Sequence, residues 1–269
     1  MFLNWGIEAR KWQLAIRSIQ SITFKRAFKA VFTGTTLAFF TPNRMGEYVG
    51  RILYINEGKR IQAISLTIVC SMAQLLVTLV AGITGLLFLK NRIVSSSASV
   101  STAAWIHFSV IFIAVIVLAL ALLYFRLESV TKLVNRSPRI NKYVAYIEVL
   151  DKFNATILLR ILSLCLLRYG VFVLQYFLFF QLFKVEVNWW QTFWSISVVF
   201  LILAIVPSIA LLSELGIRWK ASIDLVALFS SNITGILATS LAVWFINLVI
   251  PALIGSLLIL GIKFYKKQQ

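Results

Sequence analysis

Phe39-Phe40-Thr41-Pro42-Asn43-Arg44-Met45-Gly46-Glu47-Tyr48-Val49-Gly50-Arg51 is the stretch that decides the fold. It continues an apolar run, Ala27 to Phe40, that is too short to cross a bilayer, and it breaks at Pro42 into a segment carrying Arg44, Glu47 and Arg51. A run of about 10–14 apolar residues reads as a re-entrant or interfacial segment rather than a span of about 20. Broken backbone and charge at membrane depth are tolerated only where they are buried in protein or line a cavity. The stretch therefore predicts half of a polar site inside a membrane protein.

The whole composition agrees. The chain has 269 residues, 60% hydrophobic and 13% charged, with a mean hydropathy of +0.91. A soluble domain is about 45–50% apolar and about 25% charged. The net charge of +17 lies in segments between apolar runs, which fits the excess of Lys and Arg in cytoplasmic loops. Nucleic-acid binding is not expected. Cys70 and Cys165 fall inside apolar runs and read as small core residues, not a disulfide. The lone histidine, His107, has no second ligand nearby in sequence, so neither a metal nor a cofactor is expected.

Residues 4–29 interleave Arg10, Lys11, Arg17, Lys25, Arg26 and Lys29 with Trp5, Trp12, Ile16, Ile19 and Ile22, predicting an interfacial helix whose cations face water. A first re-entrant hairpin follows at about 30–56. Full spans are predicted at about 61–89, 105–125, 158–183 and 234–262, the last interrupted by Asn247 and Pro251. The basic stretch 126–152 predicts two short surface helices on either side of Pro138. A second hairpin, about 189–221, halts at Pro207 and carries Glu214 and Arg218. Both termini and the 126–152 loop then fall on the cytoplasmic side of a cell (inner) membrane.

The two hairpins repeat each other. Each is an apolar run stopped by proline (Pro42, Pro207), then a Glu and an Arg four residues later: Glu47 with Arg51, Glu214 with Arg218. Three spans separate them, an odd number, so they enter from opposite faces as an inverted repeat. The expected fold is an all-α polytopic bundle around two opposed re-entrant hairpins. By that symmetry the first unit lacks one or two helices upstream of Met1, and whether Met1 is the true start stays open.

Glu and Arg four apart form pairs worth only about 0.2–0.5 kcal/mol when exposed. The pairs are therefore either surface decoration or, at membrane depth, neutralised arginines that can be offered to an anionic headgroup. Arg168 lies eight residues beyond Arg160 in its span, too deep to snorkel; it points into a cavity or makes a structural pair with Glu214 or a helix carbonyl. Thr33, Thr35 and Thr36 read as packing residues returning hydroxyls to the backbone, and Gln74 and Asn247 either as interhelical glue or as part of the site. The candidate substrate-binding set is Arg44, Glu47, Arg51, Arg168, Glu214 and Arg218, with Pro42, Gly46 and Pro207 as hinges. No nucleophile–base set, phosphate loop or carboxylate pair is present, so no enzyme is expected.

Thr41-Pro42-Asn43-Arg44-Met45-Gly46-Glu47 with Gly50-Arg51, the upstream Asn4-Trp5-Gly6-Ile7-Glu8-Ala9-Arg10-Lys11-Trp12, and Val206-Pro207 with Glu214-Leu215-Gly216-Ile217-Arg218 resemble the membrane region of lysylphosphatidylglycerol synthases, a flippase-like domain. The resemblance runs from about residue 4 to 262. It implies a lipid-accessible cavity between re-entrant hairpins and movement of an amphiphile between leaflets. The soluble synthase domain of bifunctional members has no counterpart here, so lipid synthesis is not carried over. The second hairpin also lacks the glycine-rich turn many members have after its proline, which leaves the substrate open. The function expected is a lipid translocase, moving substrate downhill or by ion coupling, with membrane lipids as partners and a homo-oligomer or a cell-envelope enzyme as further partners. The alternatives are a membrane scaffold for such an enzyme and a small-solute transporter.

Overall fold

The structure is a computed structural model describing residues 1–96, 101–126, 149–150, 153–206 and 211–266, all helix or connection with no strand. The helices are α1 (Phe2–Ile16), α2 (Phe24–Phe39), α3 (Gly46–Ile52), α4 (Arg60–Ser96), α5 (Ser101–Phe125), α6 (Ala155–Leu182), α7 (Trp189–Ile205), α8 (Leu211–Val226), α9 (Ile233–Trp244) and α10 (Ile250–Lys266). A 3₁₀ turn, Pro42–Arg44, joins α2 to α3, and a π turn, Phe245–Val249, joins α9 to α10. Hinge Pro207 and the surface helices expected around Pro138 lie outside the described residues.

Among the described residues, four helices are long and apolar enough to cross a membrane: Glu57–Ser96, Ala103–Phe125, Ala155–Leu182 and Ile233–Leu260. They match the four spans expected from the sequence. The N-terminal segment departs from expectation. In place of one helix over 4–29 there are two, α1 and α2, separated at 17–23. Thr23 stops the chain from continuing as one helix, because its hydroxyl caps α2 by accepting from the Arg26 N–H (3.3 Å). Nor does Lys11 face water; it is 2% exposed.

The chain divides into two compact units whose boundaries fall within helices. The first comprises Met1–Gln74, Ala121–Arg168 and Asn247–Gln269. Its core holds Trp12, Ile16, Phe32, Leu66, Tyr124, Leu158 and Ile161. Here α3 folds back along α2 at very short range, because glycines face each other. A Cβ on Gly50 would lie 2.5 Å from Gly34 Cα, and one on Gly46 would run into the Leu37 carbonyl. Thr35 and Thr36 return their hydroxyls to Val31 and Phe32 carbonyls (3.0 and 3.1 Å). Thr36 also reaches Ala252 O of α10 (2.9 Å). Pro251 has no N–H to offer the Asn247 carbonyl, and the π turn sits at that gap.

The second unit comprises Leu75–Leu120 and Tyr169–Ile246. Leu79, Ile113 and Leu201 pack its core, and Gly82 lets α7 approach α4 so closely that a Cβ there would lie 2.5 Å from Leu201 Cβ. Asn188 and Gln191 form a reciprocal cap at the start of α7 (2.8 and 2.9 Å). α8 packs against both α7 and α9.

Candidate functional site

In the first unit the charges gather around one carboxylate. Glu8 lies on the face of α1 that also carries Asn4 and Lys11, at i−4 and i+3. Its Oε1 accepts from Arg51 Nη2 (2.8 Å); its Oε2 accepts from Lys11 Nζ (2.7 Å) and Arg168 Nη1 (2.6 Å). The same Arg51 nitrogen also donates to Glu47, the i−4 residue on α3. Arg168 Nε donates to Asn4 Oδ1 (2.7 Å), and Asn4 Nδ2 donates to Asn247 Oδ1 in the π turn (3.0 Å). One connected network therefore runs from the π turn through α1 and α6 to α3.

Burial within the network is graded. Glu8, Lys11 and Arg51 are at most 2% exposed, whereas the Arg168 and Glu47 side chains are 14% and 26% exposed. Burial pushes the Glu8 carboxyl up, but Arg168, Lys11 and Arg51 outweigh it and hold Glu8 well below the usual carboxylate range. Glu8 is thus the fixed counter-ion of three cations, and Arg168 and Glu47 are the charged groups at the rim.

Arg44 stands apart from it, exposed and without an ion pair among the described residues. Arg44 and Asn43 both hold left-handed backbone (φ 58° and 48°), so the bend itself is made at these two residues. Gly46 has no positive φ; it serves the close approach to Leu37. Thr41 ties the turn together, its hydroxyl donating to Leu37 O (3.0 Å) and accepting from Gly46 N (2.7 Å).

In the second unit, Arg218 of α8 donates to Glu214 Oε1 (2.8 Å) and to the Tyr176 hydroxyl of α6 (3.0 Å). Both members of the ion pair are mostly buried, at 12% and 14% exposure. Arg218 Nε is buried with no hydrogen-bond partner among the described residues. Both Glu–Arg pairs read from the sequence are therefore formed, and both are largely buried.

Sequence reasoning missed Glu8, Lys11, Asn4 and Tyr176 as site residues. The signal for the first three was a polar stripe at i, i+4 and i+7 along an otherwise apolar helix face. Tyr176 carries no such signal.

The family model described as Lysylphosphatidylglycerol synthase TM region matches residues 1–257. No curated protein and no solved structure matches the chain. The match takes in α1 to α9, the π turn and every candidate residue, and the chain belongs to that family of membrane proteins.

Proposed function

We propose that this protein moves an amphiphile with an anionic headgroup across the membrane, the headgroup passing over buried charge while the acyl chains stay in lipid. The observation that carries the reading is the Glu8 network. A carboxylate and two cations sealed from solvent cost several kcal/mol per ion before pairing, so their retention points to a use for the field they create. The cations of the network suit a phosphate, with Arg168 at its rim and the exposed Arg44 as the groups that meet it. Arg51 stays behind Glu47 and Glu8, and Glu47 swings between Arg51 and any cationic part of the headgroup. In the second unit Arg218, held by Glu214 and Tyr176, has Nε left over for a phosphate oxygen. In this reading α2–α3 and α7–α8 are re-entrant hairpins that enter from opposite faces, and the basic segments are cytoplasmic.

The test is leaflet exchange of fluorescent phospholipids in reconstituted vesicles. Exchange above empty vesicles is expected for the wild-type chain, with a loss of tenfold or more for Arg168→Gln and Arg218→Gln, provided each variant still melts cooperatively. Wild-type rates in both variants, or no exchange by the parent chain, would remove the proposal and favour a scaffold for a cell-envelope enzyme.

A further inference from the structure

A groove of about 400 Å³ opens on the second unit, and neither Glu214 nor Arg218 lines it. Leu79 and Ile113 form its buried floor, and Phe108, Phe112 and Ile205 its exposed walls. The helices that form it include two of the apolar spans, and only 11% of the most apolar stretch of α5 is buried, so lipid is the medium that touches it.

What lies above the groove gives it an address. Leu75, Leu79, Ile83, Leu86 and Lys90 share one stripe of α4, and Lys90 stands about 16 Å along the helix from Leu79. Trp105 continues the α5 stripe of Ser109, Phe112 and Ile116, and is 67% exposed. Lys90 donates to His107 Nε2 (2.5 Å), and neither side chain pairs with a carboxylate among the described residues. An apolar trough topped by an unneutralised ammonium and a wet indole matches the order of parts in a phospholipid: chain, interface, phosphate. We infer that this groove binds a phospholipid, one acyl chain lying against Leu79, Phe112 and Ile113 and the phosphate meeting Lys90. The site rests on the span assignment, not on the translocation reading. A chain that binds here and moves no lipid would keep the one and lose the other.

The experiment uses the full chain in phosphatidylcholine vesicles containing a minor fraction of phosphatidylglycerol with a photoactivatable acyl chain. After photolysis, adducts are mapped by peptide mass spectrometry. Adducts are expected on Phe108, Phe112 and Ile205 at several times the yield on Leu253 and Leu257, which are equally exposed apolar residues of α10. Lys90→Gln should lower the α5 adducts several-fold while Lys90→Arg retains them. Ser109→Trp, which fills the trough, should remove them with the thermal melt unchanged. Even labelling of α5 and α10, or indifference to Lys90→Gln, would reduce the groove to ordinary bilayer contact. Efficient intermolecular disulfide formation by Phe112→Cys would assign it to a second copy of the chain and overturn the proposal.

Discussion

Glu8 is the residue on which the first unit's electrostatics turn. Removing one partner of a buried ion pair typically costs about 3–5 kcal/mol, because the other charges stay buried. Glu8→Gln removes the carboxylate that Lys11, Arg51 and Arg168 share, and should lower the thermal midpoint in detergent at pH 7 by many degrees. The pH dependence has a definite sign. The folded Glu8 carboxyl titrates below its unfolded value of about 4.3, so its stabilisation is complete above that pH and is lost as the pH falls through the folded value. The wild-type chain should therefore show an acid-dependent fall in stability below about pH 4, and Glu8→Gln should show less of it. Equal acid sensitivity in the two proteins would contradict the assignment. Asn4 and Asn247 make a separable test: a double-mutant cycle with Ala at both should give a coupling of about 0.5–3 kcal/mol, and zero coupling would mean the bond does not contribute. Of these residues, Asn247 and Arg168 were legible as polar groups at depth in spans. Glu8 and Lys11 were not, since a charge on an interleaved helix looks water-facing until something packs over it.

At the scale of elements, the α2–α3 hairpin depends on backbone contact rather than on side-chain fit. Gly50→Ala puts a methyl group against Gly34, and overpacking of this kind costs about 1–3 kcal/mol. Gly6→Ala in α1 meets nothing within 4 Å, and should raise stability by about 0.5–1 kcal/mol through helix propensity. Opposite shifts of the two melts are expected, and a neutral Gly50→Ala would mean the helices can part without cost. The proline break was readable because Pro42 interrupts an apolar run. The bend itself falls on Asn43 and Arg44, and no rule of composition marks an arginine for left-handed backbone. The π turn was readable only as an interruption, because Pro251 announces a missing N–H but not how the helix will absorb it.

For the molecule as a whole, an inverted arrangement makes a topological prediction. A thiol at Asn43→Cys and one at Lys220→Cys should be labelled by an impermeant reagent from opposite sides of sealed vesicles. Labelling of both from one side would end the inverted-repeat reading. The amino-acid sequence determined the class: a run of about 20 apolar residues is long enough to cross a bilayer, and the described residues include four helices of that kind. It also determined the two Glu–Arg pairs, because four residues on a helix bring side chains together whatever surrounds them. Only the tertiary structure decided that one face of α1, with Glu8 and Lys11, is buried, that Glu8 gathers three cations and that Arg168 is one of them. Those partners lie as far as 160 positions apart in the chain, and a charge turns inward only when distant helices supply its counter-ions.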